Sequence, residues 1–277
     1  MKTKLITLAT LFFLCVTAGY AKDIKGNGTV ITKDIQISDY TELRIGGNIN
    51  IDGNNFFSSK GGNKGPVFNY MQKAGKSSLQ ITIDENLLPQ LEINVSNGCL
   101  NIRTNNKDRL FPTKLIINSS SAKLEEVKIS GCVDFILQNN FTGDDLKMNI
   151  SGSGDIYLNK PVRIANTYEI KVSGSGDMKA NNLTCRNIEA SISGSGDLDL
   201  KGKAESGEYK VTGSGDIHAY GFVVKDLKCK VSGSGDIEAN ATETLDASTS
   251  GSGDIRYKGY PRADIRSTGS GDIKRIK

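Results

Sequence analysis

Seven aspartates at nearly equal spacing are the residues of this chain best suited to bind a ligand. They are separated by 22, 20, 19, 20, 18 and 18 residues, and they are Asp155, Asp177, Asp197, Asp216, Asp236, Asp254 and Asp272. Each one ends a Ser/Thr-Gly-Ser-Gly-Asp motif, and a weaker copy, Ser130-Gly131-Cys132-Val133-Asp134, comes before the first. Carboxylate oxygens are ligands that calcium prefers, and the motif partly resembles the Gly- and Asp-rich repeat of calcium-binding β-rolls. The spacing therefore predicts either a cation ladder or a recurring structural corner.

Two features of the motif favour the structural corner. Its Asp directly follows Gly and its period is near 20, so one carboxylate for each repeat supplies few of the six to eight oxygens that calcium takes. An Asp side chain that accepts a backbone N–H in a turn is common. Either the strand alternation runs through the motif and its Ser and Asp face outward, or its glycines turn the chain with positive φ. We expect no cofactor, and calcium at the seven aspartates stays the alternative.

A second candidate for ligand contact is the segment of residues 53–78, which departs from the repeat. It is rich in aromatic and basic residues, and the candidate contacts are Phe56, Phe57, Lys60, Lys64, Phe68 and Tyr70. A long loop of this composition can contact an anionic or glycan partner. The competing and favoured interpretation is a flap or hairpin that seals the open end of a stack of strands.

The residues that catalysis most often uses are sparse in this chain. The single histidine, His218, lies in the ordinary strand pattern GDIHAY, and one histidine builds no convincing Ser-His-Asp or Cys-His arrangement. Paired aspartates acting as acid and base would make a pectinase-like, polysaccharide-active enzyme the alternative. Because catalytic carboxylates should break the repeat rather than define it, we expect no enzyme.

The elements that must position these residues are short strands. Apolar residues alternate with polar ones within each period, as Ile188, Ala190 and Ile192 do, and no stretch shows the 3.6-residue pattern of a helix. A period near 20 with two or three strands is too short for a propeller blade and fits one coil of a parallel β-solenoid. We predict an all-β, single-stranded parallel β-helix of about 20 residues per coil, with irregular coils over 22–150 and regular repeats over 151–277.

The N-terminus predicts export. Lysines followed by an apolar run and then small residues indicate a signal peptide over 1–21, which leaves a single solenoid domain over 22–277 without a second hydrophobic span. Four cysteines remain, Cys99, Cys132, Cys185 and Cys229. They lie far apart in no metal-ligand spacing, so we expect small core residues, with disulfides as the alternative. Interspersed charges give no sign of nucleic-acid binding.

The order of these features resembles a bacterial family of exported Bacteroidetes proteins called putative auto-transporter adhesin, head GIN domain. The resemblance depends on an opening strand, DYTELRIGGNINIDG, a middle segment, LQITIDENLLPQLEINVSNGCLNIRT, and the run of SGSGDI coils. It implies a right-handed parallel β-helix with an adhesin-like role, in the periplasm, at the cell surface or secreted, and it brings no catalytic residues. The prediction is an exported, non-catalytic adhesin-like or scaffold module that binds glycan or protein along an extended face. A calcium-dependent adhesive module is a further alternative.

Overall fold

Twenty-two strands and one short 3-10 helix make up the described part of the chain. The computed structural model describes residues 21–50, 65–105 and 108–277. Ahead of the first complete motif lie β1 (Asp23–Lys25), β2 (Val30–Ile35), β3 (Glu42–Ile45), β4 (Val67–Gln72), β5 (Ser78–Asp84), the 3-10 helix (Leu88–Gln90), β6 (Leu91–Ser96), β7 (Cys99–Thr104), β8 (Arg109–Phe111), β9 (Leu115–Ser121), β10 (Glu126–Ile129), β11 (Asp134–Leu137), β12 (Phe141–Gly143) and β13 (Leu146–Ile150). After it come β14 (Ile156–Leu158), β15 (Val162–Val172), β16 (Met178–Ile192), β17 (Leu198–Val211), β18 (Ile217–Val231), β19 (Ile237–Thr249), β20 (Ile255–Lys258), β21 (Arg262–Ser267) and β22 (Ile273–Arg275).

The strands stack in parallel, one coil on the next, which confirms the predicted β-solenoid. There are about eight coils of roughly 20 residues. Each regular coil contributes to three faces, which we name by their place after the motif. In β16, for example, 178–180 lie on the first face, 183–185 on the second and 187–192 on the third, each paired in parallel with β17. The motif itself forms the corner that leads from the third face to the first.

Alternation along the strands decides what the interior contains. The inward residues of successive coils, such as Met178, Leu198 and Ile217, are completely buried and lie in register. Each coil therefore buries its apolar side chains against its two neighbours, so stability accumulates coil by coil. Towards the N-terminal end, aromatic rings replace the aliphatic side chains, and Phe68 and Tyr70 stack on Phe135 at centroid distances of 5.9 and 5.8 Å.

The coils at the N-terminal end follow a different order in space from their order in the chain. On the third face β7 pairs with β3 and β3 pairs with β10, and on the first face β9 pairs with β4 and β4 pairs with β11. The coil that contains β7 and β9 thus lies outside the earlier coil of β3 and β4. Beyond it the strands become antiparallel: β5 and then β2 cover β9, and β6 covers β7. These antiparallel strands form the N-terminal cap of the solenoid.

Part of the segment predicted as a ligand-contact loop belongs to this core. Residues 67–72 of the 53–78 segment form β4, a central strand of the first face, and Phe68 and Tyr70 are fully buried in it. The expectation that these two rings contact a ligand is therefore wrong, because they pack inside the solenoid. Phe56, Phe57, Lys60 and Lys64, like the predicted signal peptide up to residue 20, lie outside the described residues. Within the described ranges, no helix is long and apolar enough to cross a membrane.

Candidate functional site

The glycines of the motif are required by the close approach of neighbouring coils. A Cβ atom on Gly194 would lie 2.0 Å from the carbonyl oxygen of Gly174, and one on Gly196 would lie 2.1 Å from that of Gly176. None of the motif glycines has positive φ. Of the two conformations considered from the sequence, the alternation that continues through the motif is therefore correct, with Ser193 and Ser195 exposed on the outer side. The glycines allow the backbones to touch at the corner.

The aspartates of the motif form a hydrogen-bonded ladder along this corner. The backbone N–H of each Asp donates to Oδ1 of the Asp one coil earlier, at 2.7–3.0 Å, in seven successive steps that begin at Asp134. A second bond runs in the opposite direction. The main-chain carbonyl of each Asp accepts the N–H of the residue that follows the Asp of the previous coil, as the Asp177 carbonyl does from Ile156 at 2.9 Å. The carboxylate thus takes the place of a main-chain carbonyl where the chain turns.

The second carboxylate oxygen, Oδ2, points to groups outside the ladder. Tyr157 donates its hydroxyl to Asp155 at 2.7 Å, Arg256 bonds Asp236 and Asp254 at 3.0 and 2.7 Å, and Lys274 bonds Asp272 at 2.6 Å. These contacts offset the repulsion between stacked carboxylates at several points of the row. No group of three or more His, Cys, Asp or Glu residues in the described ranges is placed to hold a metal ion. Calcium at the seven aspartates stays a hypothesis.

Asp134, at the N-terminal start of the ladder, titrates unlike an ordinary carboxyl. The pKa of Asp134 is raised to about 6, mainly by burial; the N–H bond from Asp155 opposes this rise and the charge of Asp155 adds to it. Burial also raises the pKa of Tyr157, whose hydroxyl bonds Asp155. At the far end, the N–H of Asp272 and the nearby Arg256 lower the pKa of Asp254. Asp134 and Asp254 therefore differ in charge at mildly acidic pH.

The histidine and the cysteines show no catalytic arrangement with one another. His218 Nδ1 lies 3.2 Å from Oε2 of Glu238 on the first face. Burial lowers the pKa of His218, but the hydrogen bond and charge of Glu238 outweigh it and raise the pKa overall. The four cysteines are free thiols; three are buried and Cys132 is partly buried. Burial raises the pKa of Cys185 to about 12, which suits a core residue rather than a nucleophile.

The outward side of the first face carries one continuous row of side chains. The in-register pairing of strands places these residues side by side, each partly or fully exposed. In spatial order they are Asp34, Gln80, Asn118, Asn69, Ile136, Tyr157, Lys179, Asp199, His218, Glu238, Arg256 and Lys274. At about 4.8 Å for each strand, the eleven steps extend over about 53 Å. We call this set the first-face row.

The N-terminal part of the first-face row borders a groove of about 630 Å³ whose polar side chains are mostly uncharged. Gln80 donates to Asp34 at 2.9 Å, Asn69 donates to Asn118 at 2.9 Å, and Gln138 donates to Asn69 at 2.6 Å. The sequence alone did not identify these amides as candidate site residues. Their outward parity within the strands was visible, but the cap strands that bring them together pair over long distances in the chain.

Two grooves on the third face have a different chemistry. One of about 860 Å³ is lined by carboxylates and two cations, namely Glu189, Glu208, Asp226, Asp246, Asp264, Lys228 and Arg262. Several of these carboxylates are bonded to neighbours, as Asp226 is to the Thr244 hydroxyl at 2.6 Å. The other groove, of about 520 Å³, contains Arg44, Arg103 and Lys128, each paired with a glutamate. His218 lies on the first face, away from both grooves.

Comparisons with known proteins agree with this architecture. A family model described as putative auto-transporter adhesin, head GIN domain, matches residues 64–163 and 162–261. No curated protein matches the chain.

Similar solved structures come from the genus Parabacteroides. A putative lipid binding protein from Parabacteroides distasonis is 32% identical with a TM-score of 0.83, covering 92% of this chain and 100% of its own. A putative adhesin from Parabacteroides merdae is 33% identical with a TM-score of 0.81, covering 93% of this chain and 100% of its own. A putative adhesin from Parabacteroides distasonis is 33% identical, also with a TM-score of 0.81, covering 92% and 100%.

Proposed function

Because the chain belongs to the family described as putative auto-transporter adhesin, head GIN domain, we propose that it is an exported, non-catalytic adhesin-like module that holds a glycan or protein against its first face. The observation that carries the proposal is the first-face row, an unbroken outward surface about 53 Å long. Many shallow contacts along such a row add up through multivalency without any single deep pocket.

The chemistry of the first face supports binding over catalysis. The ladder carboxylates that flank the row already accept backbone N–H groups, which fixes their Oδ1 atoms. The side chains of the row pair with each other, as Lys179 does with Asp199 at 3.5 Å. A general acid or base must instead be free to exchange a proton with a substrate. Residues held in this way suit recognition of a partner's polar groups.

Lipid binding, which the description of one similar structure names, receives less support in this chain. The solenoid interior is filled by apolar side chains. Within the described ranges, the large apolar side chains that are exposed lie on separate strands and loops: Val30, Met71, Val223, Tyr260 and Ile265. An acyl chain requires a continuous apolar cavity or patch. The polar first face fits a glycan or a protein surface better.

A binding experiment with two charge-swap variants tests the proposal. The protein beginning at Lys22 is applied to arrays of glycans, mucins and matrix proteins, and binding is quantified with soluble competitor. The first-face swap exchanges Lys179→Asp and Asp199→Lys, and the matched third-face swap exchanges Glu169→Lys and Lys171→Glu; each swap keeps an ion pair. We expect the first-face swap to weaken binding about tenfold and the third-face swap to leave it unchanged.

The same arrays contain the results that would refute the proposal. Release of new reducing ends from a polysaccharide would make the protein an enzyme. Loss of binding in the third-face swap alone would move the binding surface away from the first face. Absence of saturable binding to every glycan and protein on the arrays would remove the adhesin-like role altogether.

A further inference from the structure

We infer that the groove of about 630 Å³ near the N-terminal cap is the specific site of this module and that its ligand is an uncharged saccharide. This inference deepens the proposed function and rests on it. The volume falls within the range of about 300–1,000 Å³ typical of sites for small ligands. The groove lies at the cap end of the first-face row, so a glycan chain held there can continue along the row.

The amides in the groove leave a mixed set of donors and acceptors unused. A primary amide has two N–H donors and two acceptor positions. Asn69 donates to Asn118 and accepts from Gln138, and Gln80 donates to Asp34, so each amide retains further capacity. Sugar hydroxyls both donate and accept, and a row of amides fixed by one another satisfies both roles at low entropic cost. Ser78 and Ser120, which bond each other at 2.8 Å, add hydroxyls to the same wall.

The charges of the groove disfavour an anionic sugar. Its lining includes one acid, Asp34, and one base, Lys73. Asp34 lies in the outward row itself, where it would repel a carboxylate or sulfate. The cations that could bind an anion are concentrated instead on the third face, in the groove of Arg44, Arg103 and Lys128. Electrostatics therefore assigns the amide groove to an uncharged ligand.

The apolar lining gives a sugar ring a surface for its C–H groups. Met71 of β4 lies in this lining with 44% of its surface exposed, and Ile35 and Ile37, which also line the groove, are partly buried against the core. Amphipathic saccharides pack their C–H faces on such groups while their hydroxyls bond the amides. A wholly polar wall would lack this contribution, and a wholly apolar one would leave the hydroxyls unpaired.

An extended peptide fits the groove less well, because the three central strands of its floor have no free edge. The floor strands β5, β9 and β4 lie between β2 on one side and β11 on the other, and each is hydrogen-bonded along both edges. Peptides that bind sheets usually add a strand through main-chain hydrogen bonds. Over these three strands a ligand is recognised through side chains, and a peptide could add a strand only at the outer edge of β2. The central part of the groove therefore favours the saccharide.

The test compares amides inside and outside the groove. The protein from Lys22 onward is titrated with uncharged oligosaccharides and, in parallel, with sialylated, sulfated and uronic-acid glycans, with binding followed by interferometry. Asn118→Ala and Gln138→Ala remove groove amides. Asn159→Ala is the matched control, because it breaks a similar 2.9 Å contact with Asn181 elsewhere on the surface. We expect both groove variants to weaken binding of uncharged glycans at least about tenfold and the control to keep it.

Each result decides for or against the groove. If Asn118→Ala lowers the melting temperature, Gln138→Ala, which alters an exposed side chain, decides alone. Unchanged affinity in Gln138→Ala, while the first-face charge swap still weakens binding, would overturn the groove and leave the proposed function intact. Binding confined to acidic glycans or to proteins would do the same. Failure of the wild-type protein to bind any glycan or protein would overturn both.

Discussion

The partly buried carboxyl of Asp134 should make the solenoid less stable at neutral pH than at mildly acidic pH. Its pKa rises from an ordinary value of 3.8 to about 6 because burial disfavours the charge. The folded protein therefore holds this proton between about pH 4 and pH 6, where the unfolded chain has released it. Stability contributed by this group falls as pH rises through that window and stays low above it.

The size of the effect follows from the same two values. A tenfold change in proton affinity is worth about 1.4 kcal/mol, so the difference between 3.8 and about 6 corresponds to about 3 kcal/mol. Because the side chain keeps some contact with solvent, screening reduces the expected cost to about 1–2 kcal/mol. Asp134→Asn removes the charge and keeps an oxygen for the N–H of Asp155, which now bonds at 3.0 Å. This variant should equal the wild type near pH 4 and exceed its stability by about 1–2 kcal/mol above pH 7.

Urea denaturation of both proteins at several values between pH 4 and pH 8 measures this difference. Asp134→Ala is the control, because it removes the charge and also leaves the N–H of Asp155 without its acceptor. It should be about 1 kcal/mol less stable than Asp134→Asn at every pH. A gain for Asp134→Asn that does not change with pH, or a loss of stability at pH 8, would refute the assignment of a buried, charged Asp134.

Three other perturbations test the corner and the core. Gly194→Ala should lower the free energy of unfolding by about 2–3 kcal/mol, because its Cβ meets a carbonyl oxygen at 2.0 Å, whereas the exposed Ser195→Ala should change it by less than about 0.5 kcal/mol; similar urea midpoints for the two variants would contradict the close contact. Tyr209→Phe should raise the free energy of unfolding by about 1 kcal/mol, since its buried hydroxyl has no hydrogen-bond partner in the described residues, while Tyr40→Phe should lower it by a similar amount because that hydroxyl bonds Ser119 at 2.8 Å. A less stable Tyr209→Phe would show that the hydroxyl has a partner. The melting temperature should be the same with calcium and with chelator, because the Oδ1 atoms of the ladder already bond the backbone; an increase with calcium would make the ladder a cation site.

The regular coils could be predicted from the sequence because every repeat restates the same local pattern. The alternation of apolar and polar residues in 188–192 predicted the strands, and the spacing of the motif predicted coils of about 20 residues stacked in parallel. The role of the motif glycines was only partly predictable. The sequence allowed both a corner without positive φ and one with it. The need for glycine depends on the neighbouring coil, since a Cβ on Gly194 would lie 2.0 Å from the carbonyl oxygen of Gly174, and no single repeat contains that approach.

The N-terminal half could not be predicted in the same detail. The strand VFNYMQ at 67–72 was hidden between the Gly- and Lys-rich stretches GGNKGP and KAGKSS, so Phe68 and Tyr70 were taken for surface residues. Their burial depends on pairing of β4 with β9 and β11, whose partner residues lie 49 and 67 positions away in the chain, as Ile116 and Asp134 do from Val67. The amide groove was missed for the same reason. Outward parity can be counted in one strand, but the neighbours of that strand come from distant segments.

The interleaved coils of the N-terminal end also constrain the order in which the chain can be built. Strand β3 pairs with both β7 and β10, and β4 pairs with both β9 and β11, so each needs strands that come later in the chain. The chain must therefore extend as far as β11 before these strands can complete their pairing. Each later coil instead pairs only with the coils directly before and after it, through the same corner. Duplication or loss of a later repeat would lengthen or shorten the molecule by one step and leave the cap untouched.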